Sequence, residues 1–582
     1  MLTTFASRLR RNWLAASAAG LVFASTGVLC AQVVIVPSTP QVGSSNPATA
    51  EPLVPRPHTQ PCIVPLLQNQ AFADFTPKVM NYAPPAACPG PWAKVVFTAD
   101  FTVTAGRQFD RTAAFYLGHA NIYYGTTAEP RKVLSPSWHV ERDVTDLSAV
   151  FRSAQTGEAN IGNFVGVSGG VTYDGIIYAN AALEFYPASH DDAAPRVPDV
   201  VVPVNGGGGD AGTLSTTSAR ISQTLNLPTN VERVMLDVIA QSQSNDEFWY
   251  FCVPSDQSNN LESCGATSFR ETEIYIDGQP AGVAPVYPWI YTGGIDPYLW
   301  EPIPGVQTLD FKPYRVDLTP FAGLLADGGT HTISIGVFNA NSYFLATANL
   351  LVYTDHQALH VTGGVLSNTL GAAPAPAVAE NISTGAGPTF TGNVLVTSDR
   401  SFTIRGYVNT SHGHVETTVD QTVNFSSNQQ FEVGPTTDIQ NAVQTTDIRT
   451  RVRTRDAFFT RTTEEHRSYP LTIDFSYVVA ADGSASQKTT VDQEDHLKLV
   501  KSFNGDRYFE SKVSDAVNST DTLGFNASGT FLGPSGSQTS STYKARDSRG
   551  HCYSRTITAA AQKLTSVVDG QSCGQGDDHD DQ

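Results

Sequence analysis

The sequence predicts an all-β protein in which two adjacent jelly-roll-like β-sandwiches precede a C-terminal β-rich domain. Two observations predict this fold class. Short segments of alternating apolar and polar residues recur between turns rich in glycine and proline, and sustained helical periodicity is scarce. A chain of 582 residues has room for about three or four domains, and many short strands joined by such turns are typical of sandwiches.

The first segment of the chain predicts export. The stretch "RLRRNWLAASAAGLVFASTGVLCAQ" has a basic start, an apolar run and small residues near Ala31. This is the layout of a secretory signal peptide, here over residues 1–31. We therefore expect a secreted or periplasmic protein that is cleaved after Ala31, and no later run is long and apolar enough to span a bilayer.

The charge of the chain argues against two classes of partner. The net charge is −19 at pH 7, and the sequence contains no basic block. Neither nucleic acid nor an anionic membrane surface is therefore an expected partner. The sequence leaves the oligomeric state open.

Cysteine usage agrees with export. The chain has seven cysteines, and loss of Cys30 with the signal peptide leaves an even six. No cysteine or histidine cluster has the spacing of a zinc site, so no metal is expected. The six cysteines form three sequence-local pairs that we expect to be disulfides in an oxidising compartment, although other pairings are open: Cys62–Cys88, Cys252–Cys264 and Cys552–Cys573.

Composition divides the rest of the chain into domains and connecting segments. Stretches rich in Pro, Ala or Gly interrupt the predicted strands, and an acidic run ends the sequence. Such stretches are typical of linkers and tails. The predicted order is a leader (32–90), a first jelly-roll domain (91–190), a linker (191–217), a second jelly-roll domain (218–358), a linker (359–388), a C-terminal β domain (389–574) and an acidic tail (575–582).

The first candidate catalytic residue is Asp110, in the stretch "GRQFDRTAAFYL". Regular alternation would place Asp110 on the strand face that carries Thr112 and Ala114, opposite Phe109 and Arg111. Taken alone, an aspartate at the end of a strand is usually solvated or ion-paired. A second acidic centre in the following block favours a catalytic role.

That second centre is "NDEFWY", where Asp246 and Glu247 adjoin Phe248, Trp249 and Tyr250 in a segment with the pattern of a buried strand. Because neighbours on a strand point to opposite faces, only one of the two acids is expected to face a cleft. The competing interpretation is a structural ion pair with an arginine. Apolar walls raise the pKa of a carboxyl group, so either acid is a candidate catalytic residue.

Aromatic residues extend this pattern. The run "VYPWIYTGGIDPYLWEPIPG" follows the second centre, and sugars stack on aromatic rings. An aromatic cluster alone is more often part of a core. The run adds Trp289, Tyr291, Tyr298, Trp300 and Glu301 as candidates for substrate contact, and the sequence thus predicts a two-acid, aromatic-lined site.

Several motifs in a consistent order carry a family resemblance. They are "GRQFDR", "TAEPR", "ERDVTDL", "NDEFWY", "GGIDPYLWEPIPG", "DLTPFAGLLADGGTHTISIGVFNA" and "ANLLVY". With them the chain resembles the peptide-N-glycosidase A family, whose members are glycoamidases that remove whole N-glycans. The "FDR" and "DEFW" motifs also give it a fainter similarity to peptide-N-glycosidase F, which is built of two adjacent jelly rolls.

The resemblance implies a reaction and roles for the candidates. The glycosylated asparagine amide of a peptide or protein would be hydrolysed to aspartate, releasing a glycosylamine, without a metal or organic cofactor. Asp110 would be the principal acid/base group. Glu247 would orient the first N-acetylglucosamine or polarise the amide carbonyl, with Asp246 as the alternative second acid. The other candidates are Arg107, Arg111 and Arg131, which would hold the acids ionised or donate to the oxyanion, and Asn163, Asn245, Trp249, Trp300 and Glu301, which would contact the substrate.

Two other functions fit parts of the pattern. A carbohydrate-binding sandwich without catalysis would keep the aromatic residues but would not need paired acids on adjacent domains. An endoglycosidase would also use two carboxylates, but it would cut at a glycosidic oxygen. The products formed from a glycopeptide distinguish all three functions.

Overall fold

The computed structural model describes residues 38–570. The predicted signal peptide, Cys573 and the predicted acidic tail lie outside these residues. Within them strands dominate, so the all-β prediction is confirmed, and the α-helix α1 (Ala322–Leu325) is a single turn. No helix between residues 38 and 570 is long and apolar enough to cross a membrane.

The first domain is a sandwich of two antiparallel sheets. Its elements are β1 (Cys62–Phe72), β2 (Lys78–Tyr82), β3 (Trp92–Val103), β4 (Thr112–Leu117), β5 (Ala120–Thr126), β6 (Ser137–Asp143), 3₁₀ turns at Thr145–Leu147 and Val150–Arg152, β7 (Gln155–Ile161), β8 (Gly166–Ser168), β9 (Val171–Tyr173) and β10 (Ile177–Pro187). The strand orders are β1-β10-β3-β6 and β2-β7-β4-β5, while β8 and β9 form a hairpin. Alternate residues of β3 and β10 are buried and close the apolar core between the sheets.

The first sandwich begins earlier than predicted. β1 and β2 lie in the predicted leader (32–90), yet β1 pairs with β10 and β2 pairs with β7. Both are edge strands, which accommodate residues such as Pro65, so the Pro/Ala-rich composition concealed them. The Cys62–Cys88 disulfide is confirmed, and it ties the start of β1 to the segment before β3.

The second domain is a sandwich of the same kind. Its elements are β11 (Val200–Val204), β12 (Gly212–Leu214), β13 (Ile221–Leu225), β14 (Val231–Gln243), 3₁₀ turns at Ser244–Asp246, Trp249–Phe251, Pro297–Trp300 and Thr319–Phe321, β15 (Glu271–Ile276), β16 (Gln279–Pro285), β17 (Tyr314–Asp317), α1, β18 (His331–Phe338) and β19 (Tyr343–Thr354). One sheet has the order β11-β19-β14-β17, with β12 also on β19, and the other has the order β13-β18-β15-β16.

The predicted linker 191–217 is not a linker along its whole length. It contains β11 and β12, which both pair with β19. β11 carries Pro203 at the edge of its sheet, where a missing N–H group is tolerated. The Cys252–Cys264 disulfide is confirmed, and it closes the loop that follows β14.

A long loop between β16 and β17 fastens the second domain to the first. Phe311 N donates to Tyr124 O at 2.8 Å, and Thr126 N donates to Thr308 O at 3.0 Å. Thr308 Oγ1 in turn donates to Ile290 O at 2.7 Å within the loop. The loop therefore lies along the end of β5, where it can bring residues of the second domain to the first.

The third region is one extended antiparallel sheet. Its strands are β20 (Thr362–Asn368), β21 (Ala377–Thr384), β22 (Phe390–Thr410), β23 (Gly413–Gly434), β24 (Thr437–Arg455), β25 (Thr460–Ser468), β26 (Leu471–Val479), β27 (Ala485–Phe503), β28 (Asp506–Phe525), β29 (Phe531–Asp547), β30 (Cys552–Ala560) and β31 (Lys563–Asp569). All 12 belong to a single sheet among the described residues.

The C-terminal sheet packs on the second sandwich without an intervening linker. β20 and β21, within the predicted linker 359–388, both pair with β22. Phe269 and Phe425 form an edge-on ring contact at 5.1 Å between centroids, and Gln429 Nε2 donates to Tyr250 O at 2.9 Å. The jelly-roll connectivity of the two sandwiches stays a prediction.

Candidate active site

Asp110 lies just before β4 rather than on it, because the strand begins at Thr112. The predicted strand-face position of Asp110 is therefore wrong. Its carboxylate Oδ2 accepts a hydrogen bond from Gly293 N at 3.0 Å. Gly293 belongs to the long loop of the second domain, so the first candidate acid is held by a donor from the neighbouring sandwich.

A second carboxylate, Glu129, follows β5 and lies beside Asp110. Glu129 Oε2 accepts from Asp110 N at 3.3 Å, and Glu129 N donates to Thr292 Oγ1 at 2.9 Å. A Cβ atom at Gly293 would lie 3.0 Å from Asp110 Oδ1 and still closer to Glu129 Oε2. A glycine at this position therefore lets the loop backbone approach both acids without displacing their carboxylates.

Glu247 supplies the third carboxylate, from the second sandwich. It follows the 3₁₀ turn Ser244–Asp246, since β14 ends at Gln243, so the predicted strand through "NDEFWY" is wrong. The turn rotates Asp246 and Glu247 to different sides. Glu247 is half-buried and close enough to Asp110 and Glu129 to interact with both through space.

The three acids perturb one another. Burial raises the pKa of Glu247 to about 7, and the charge of Asp110 adds to the shift. Burial and the charge of Asp110 likewise raise the pKa of Glu129 to about 7. Burial also raises the pKa of Asp110, but the Gly293 N–H group and the charge of Arg111 oppose that shift. Asp110 therefore has stabilising partners for its ionised form that Glu247 lacks.

Arg111 places a positive charge beside Asp110 and Glu129. Burial lowers its pKa, while the charges of Asp110 and Glu129 favour the guanidinium form. Among the described residues Arg111 Nε has no hydrogen-bond partner. Its guanidinium carbon lies 5.6 Å from the centroid of the Phe109 ring. Arg111 is thus a donor held beside the acids with capacity for a further acceptor.

Asp246 has a different environment from that of Glu247. It is fully buried, and its Oδ1 accepts from Arg270 Nη2 at 2.7 Å and from Arg270 Nε at 3.2 Å. Its Oδ2 accepts from the backbone N–H groups of Asn341 at 2.9 Å and Ser342 at 2.7 Å. Both carboxylate oxygens of Asp246 thus accept hydrogen bonds from protein donors. Asp246 is therefore part of a structural ion pair, and Glu247 is the acid that faces the cluster.

Comparison with known proteins identifies the family of the chain. A model of the family described as peptide N-acetyl-beta-D-glucosaminyl asparaginase amidase A matches residues 52–370. The chain is also 30% identical over 395 residues to the peptide-N4-(N-acetyl-beta-glucosaminyl)asparagine amidase A of Prunus dulcis, covering 64% of this chain and 67% of that protein. The chain belongs to the peptide-N-glycosidase A family. Asp110, Glu129 and Glu247 all lie within the span that the family model matches.

Two solved structures are also similar. PNGF-II aligns with a TM-score of 0.34 and 12% identity, covering 51% of this chain and 66% of that chain. PNGase F of Flavobacterium meningosepticum, described as a glycosylasparaginase, aligns with a TM-score of 0.33 and 11% identity, covering 51% of this chain and 96% of that chain.

Three of the predicted substrate contacts in this peptide-N-glycosidase A family member are buried. Asn163 is fully buried, and its Nδ2 donates to Phe72 O and Gly175 O, both at 3.0 Å. Trp249 and Trp300 are 1% and 3% exposed, and Trp300 Nε1 donates to Gly294 O at 2.9 Å. Trp249 and Trp300 belong to the buried apolar core, and the burial of all three residues argues against direct contact with a sugar.

Two further candidates pair with each other. Arg131 Nε lies 2.8 Å from Glu301 Oε2, and Arg131 N donates to Glu301 Oε1 at 3.0 Å. Their charges therefore compensate each other. Arg107 and Asn245 are exposed, and a role in substrate contact stays a prediction for both.

The aromatic lining differs from the one that the sequence predicted. Trp289 and Tyr291 are core residues, whereas Phe109 is 40% exposed. The Phe109 ring lies 5.5 Å from the ring of Tyr173, which lies 5.8 Å from the ring of Phe164. Partly exposed rings thus flank Asp110 on the side of the first sandwich.

Glu129 and Gly293 are the site residues that the sequence reasoning missed. Both lie in quoted motifs, "TAEPR" and "GGIDPYLWEPIPG". Glu129 lies three residues after a strand whose seven residues are all buried. An isolated acid directly after such a strand could have identified Glu129 as a candidate site residue. The approach of Gly293 depends on the long loop crossing between domains, which no local pattern indicates.

The active-site loop contains a buried acid with a testable effect on stability. Asp296 is 1% exposed, and burial, with the charges of Asp521 and Glu301, raises its pKa to about 7. The folded state holds the proton of Asp296 more tightly than the unfolded chain does. The contribution of this proton to the free energy of unfolding is therefore complete below the ordinary pKa of about 4 and is lost as pH rises through about 7. Asp296→Asn should remove up to ~4 kcal/mol of this pH dependence.

Urea unfolding at several pH values measures this effect. The wild-type midpoint should fall between about pH 4 and about pH 7 more steeply than the midpoint of Asp296→Asn. Asp256→Asn, at an exposed position, is the matched control and should follow the wild type. Parallel curves for Asp296→Asn and the wild type would contradict the buried, protonated state of Asp296.

Proposed function

We propose that the chain is a glycoamidase that hydrolyses the amide bond between an N-glycan and asparagine in a glycopeptide or glycoprotein. The observation that carries the proposal is the cluster of Asp110 and Glu129 from the first sandwich with Glu247 from the second. The products are an aspartate in the peptide and the glycan as a glycosylamine. The water oxygen bonds to the amide carbon, and its protons go to the new carboxyl group and the leaving nitrogen.

Amide hydrolysis needs a base for water, a donor for the oxyanion and an acid for the leaving amine. Asp110 suits the first role, because burial raises its pKa and so its basicity, while the Gly293 N–H group and Arg111 still stabilise its carboxylate form. The Asp110 carboxylate accepts a proton from the attacking water. Arg111, whose guanidinium interacts with Asp110 and Glu129, donates to the carbonyl oxygen as negative charge develops there.

Glu129 and Glu247 suit the proton-donating roles. Both have a pKa of about 7, so below that pH they carry protons while Asp110 has the partners that favour ionisation. Asp110 is assigned the ionised state, because the Gly293 N–H group and Arg111 favour its carboxylate against the effect of burial. Glu129, next to Asp110, delivers the proton to the leaving nitrogen. Glu247 hydrogen-bonds the first sugar or the amide carbonyl and orients the bond for attack.

The division of roles predicts an effect of Glu247→Gln. Activity of the wild type should fall as pH rises through about 7, because Glu129 and Glu247 lose their protons. The glutamine stays neutral and keeps a hydrogen-bonding group, so the fall should become less steep, with kcat at acid pH lowered roughly tenfold. The pH profiles of kcat and of kcat/KM measure both effects. A loss larger than that of Asp110→Asn would reverse the assignment of principal acid/base group.

Product analysis tests the function itself. A glycopeptide is incubated with the protein, and the peptide is weighed. Conversion of the glycosylated asparagine to aspartate, with loss of the whole glycan, is the expected result. An asparagine that retains one sugar would indicate an endoglycosidase, and an unchanged glycopeptide would indicate a carbohydrate-binding protein.

The location that fits this function is outside the cytoplasm. The disulfides Cys62–Cys88 and Cys252–Cys264 are typical of proteins that fold in an oxidising compartment. Secreted or periplasmic glycopeptides and glycoproteins would be the partners there.

A further inference from the structure

A buried polar network lies beneath the candidate active site, at the junction of the two sandwiches. At its centre is Gln241 on β14, whose side chain is fully buried. Its Oε1 accepts from Thr112 Oγ1 at 3.0 Å and from Tyr124 OH at 2.9 Å. Both donors belong to the first sandwich, so one amide of the second domain binds two adjacent strands, β4 and β5, of the first.

The position of this link along the chain relates it to the acids. Thr112 follows Asp110 by two residues, and Gln241 precedes Glu247 by six, at the end of β14 from which the turn carrying Glu247 begins. The Thr112 bond therefore joins the segment of Asp110 to the strand that precedes Glu247, and the Tyr124 bond joins the same strand to β5, which precedes Glu129. We propose that Gln241 is a positioning residue, which holds Asp110 and Glu247 at the separation needed for the glycoamidase reaction proposed above.

A neighbouring contact strengthens the link from the loop side. Tyr291 OH donates to Ser242 O and lies 3.3 Å from Ser242 Oγ. Tyr291 is 4% exposed and precedes Gly293 by two residues. The residue after Gln241 thus anchors the loop whose backbone donates to Asp110.

This network is expected to affect the catalytic rate as well as the stability of the fold. A displacement of about 1 Å at a reacting group can cost about 10²-fold in rate, and the repulsion between two carboxylates depends on their separation. The groups that interact with Glu247 are the carboxyls of Asp110 and Glu129 and the hydroxyls of Tyr250 and Tyr291. Gln241 therefore acts through these groups and touches no substrate.

Gln241→Leu removes the acceptor and keeps a similar volume. The acids should then move apart, so that Asp110 raises the pKa of Glu247 less and the alkaline fall of activity moves to lower pH. We expect kcat to fall roughly 10- to 100-fold, with a change in KM smaller than threefold. Initial rates on one glycopeptide across a pH series measure all three quantities.

A matched control removes a similar contact elsewhere in the same junction. Asn349 on β19 is 6% exposed; its Oδ1 accepts from Asn121 N at 3.2 Å and its Nδ2 donates to Asn121 O at 2.8 Å. Asn349 pairs with Asp237 on β14, four residues before Gln241 and roughly 13 Å farther from the site. Asn349→Leu should lower stability as Gln241→Leu does but leave the pH profile unchanged.

A second set of variants tests the proposal even when Gln241→Leu does not fold. Thr112→Val and Tyr124→Phe each remove one donor with almost no change in shape. Each should shift the pH profile in the same direction as Gln241→Leu by a smaller amount, and together they should reproduce it.

The outcomes distinguish this proposal from the function on which it rests. A wild type that leaves the glycopeptide intact would overturn both. An active wild type with unaltered kcat and pH profile in Gln241→Leu and in the Thr112→Val/Tyr124→Phe double variant would overturn the positioning role alone. An equal shift in Asn349→Leu would also overturn it, because any loosening of the junction would then suffice.

Discussion

Asp110→Asn is expected to lower kcat by roughly 10²–10⁴-fold, the range typical of losing a general acid/base group. The asparagine side chain keeps the size of the aspartate and can still accept from Gly293 N. It cannot take a proton from water, however. Loss should therefore fall on kcat, with glycopeptide binding nearly unchanged. Initial rates and a direct binding measurement on the same glycopeptide separate the effect on kcat from the effect on binding.

The matched control for this prediction is Asp74→Asn. Asp74 is an exposed carboxylate of the same sandwich, and its ion pair with Lys78 is on the surface, where such pairs contribute little. The control should retain wild-type activity. Turnover retained in Asp110→Asn would remove Asp110 from the mechanism.

The largest effect on stability is expected from Arg270→Met. Arg270 and Asp246 are both buried, and the arginine Nη1 also donates to the carbonyl oxygens of Thr267 at 2.8 Å and Phe269 at 2.9 Å. Removing the guanidinium leaves the Asp246 charge buried without its counter-ion. We expect a loss of about 3–5 kcal/mol, measured as a lower midpoint of urea unfolding.

A double variant tests whether this loss is electrostatic. Replacing both partners, as in Asp246→Leu with Arg270→Met, removes the uncompensated charge, so the double variant should be more stable than the sum of the single losses predicts.

A single substitution of Asp246 tests the assignment of the second acid. A well-folded Asp246→Asn variant with the activity loss expected of Asp110→Asn would make Asp246, rather than Glu247, the catalytic partner.

Much of the fold could be predicted from local pattern, because alternation and turn chemistry act within a few residues. The predicted domain boundaries differ from the structure at strands that lie on the edges of the sheets. β1, β11 and β20 carry Pro or Gly and pair on one side in their sheets, so composition makes them resemble linkers. Their assignment depends on pairing with residues at least 36 positions away along the chain, and no local pattern encodes that pairing.

The site was predictable to the level of its motifs but not of its individual contacts. Asp110 and the acidic doublet were found, yet the choice between Asp246 and Glu247 depended on a 3₁₀ turn and on Arg270, 24 residues farther along the chain. The burial of Trp249 and Trp300 depends on tertiary packing, because an aromatic residue serves a core and a sugar site equally well. Glu129 was missed because its approach to Asp110 and Glu247 depends on tertiary structure.

The central claim is that water, activated at the cluster of Asp110, Glu129 and Glu247, attacks the asparagine side-chain carbonyl. Digestion of a glycopeptide in ¹⁸O-labelled water, followed by the mass of the peptide, tests it most directly. The account predicts one ¹⁸O atom in the new aspartate carboxylate and none when Asp110→Asn replaces the wild type. A peptide that keeps its asparagine, with the label in the released sugar instead, would contradict it.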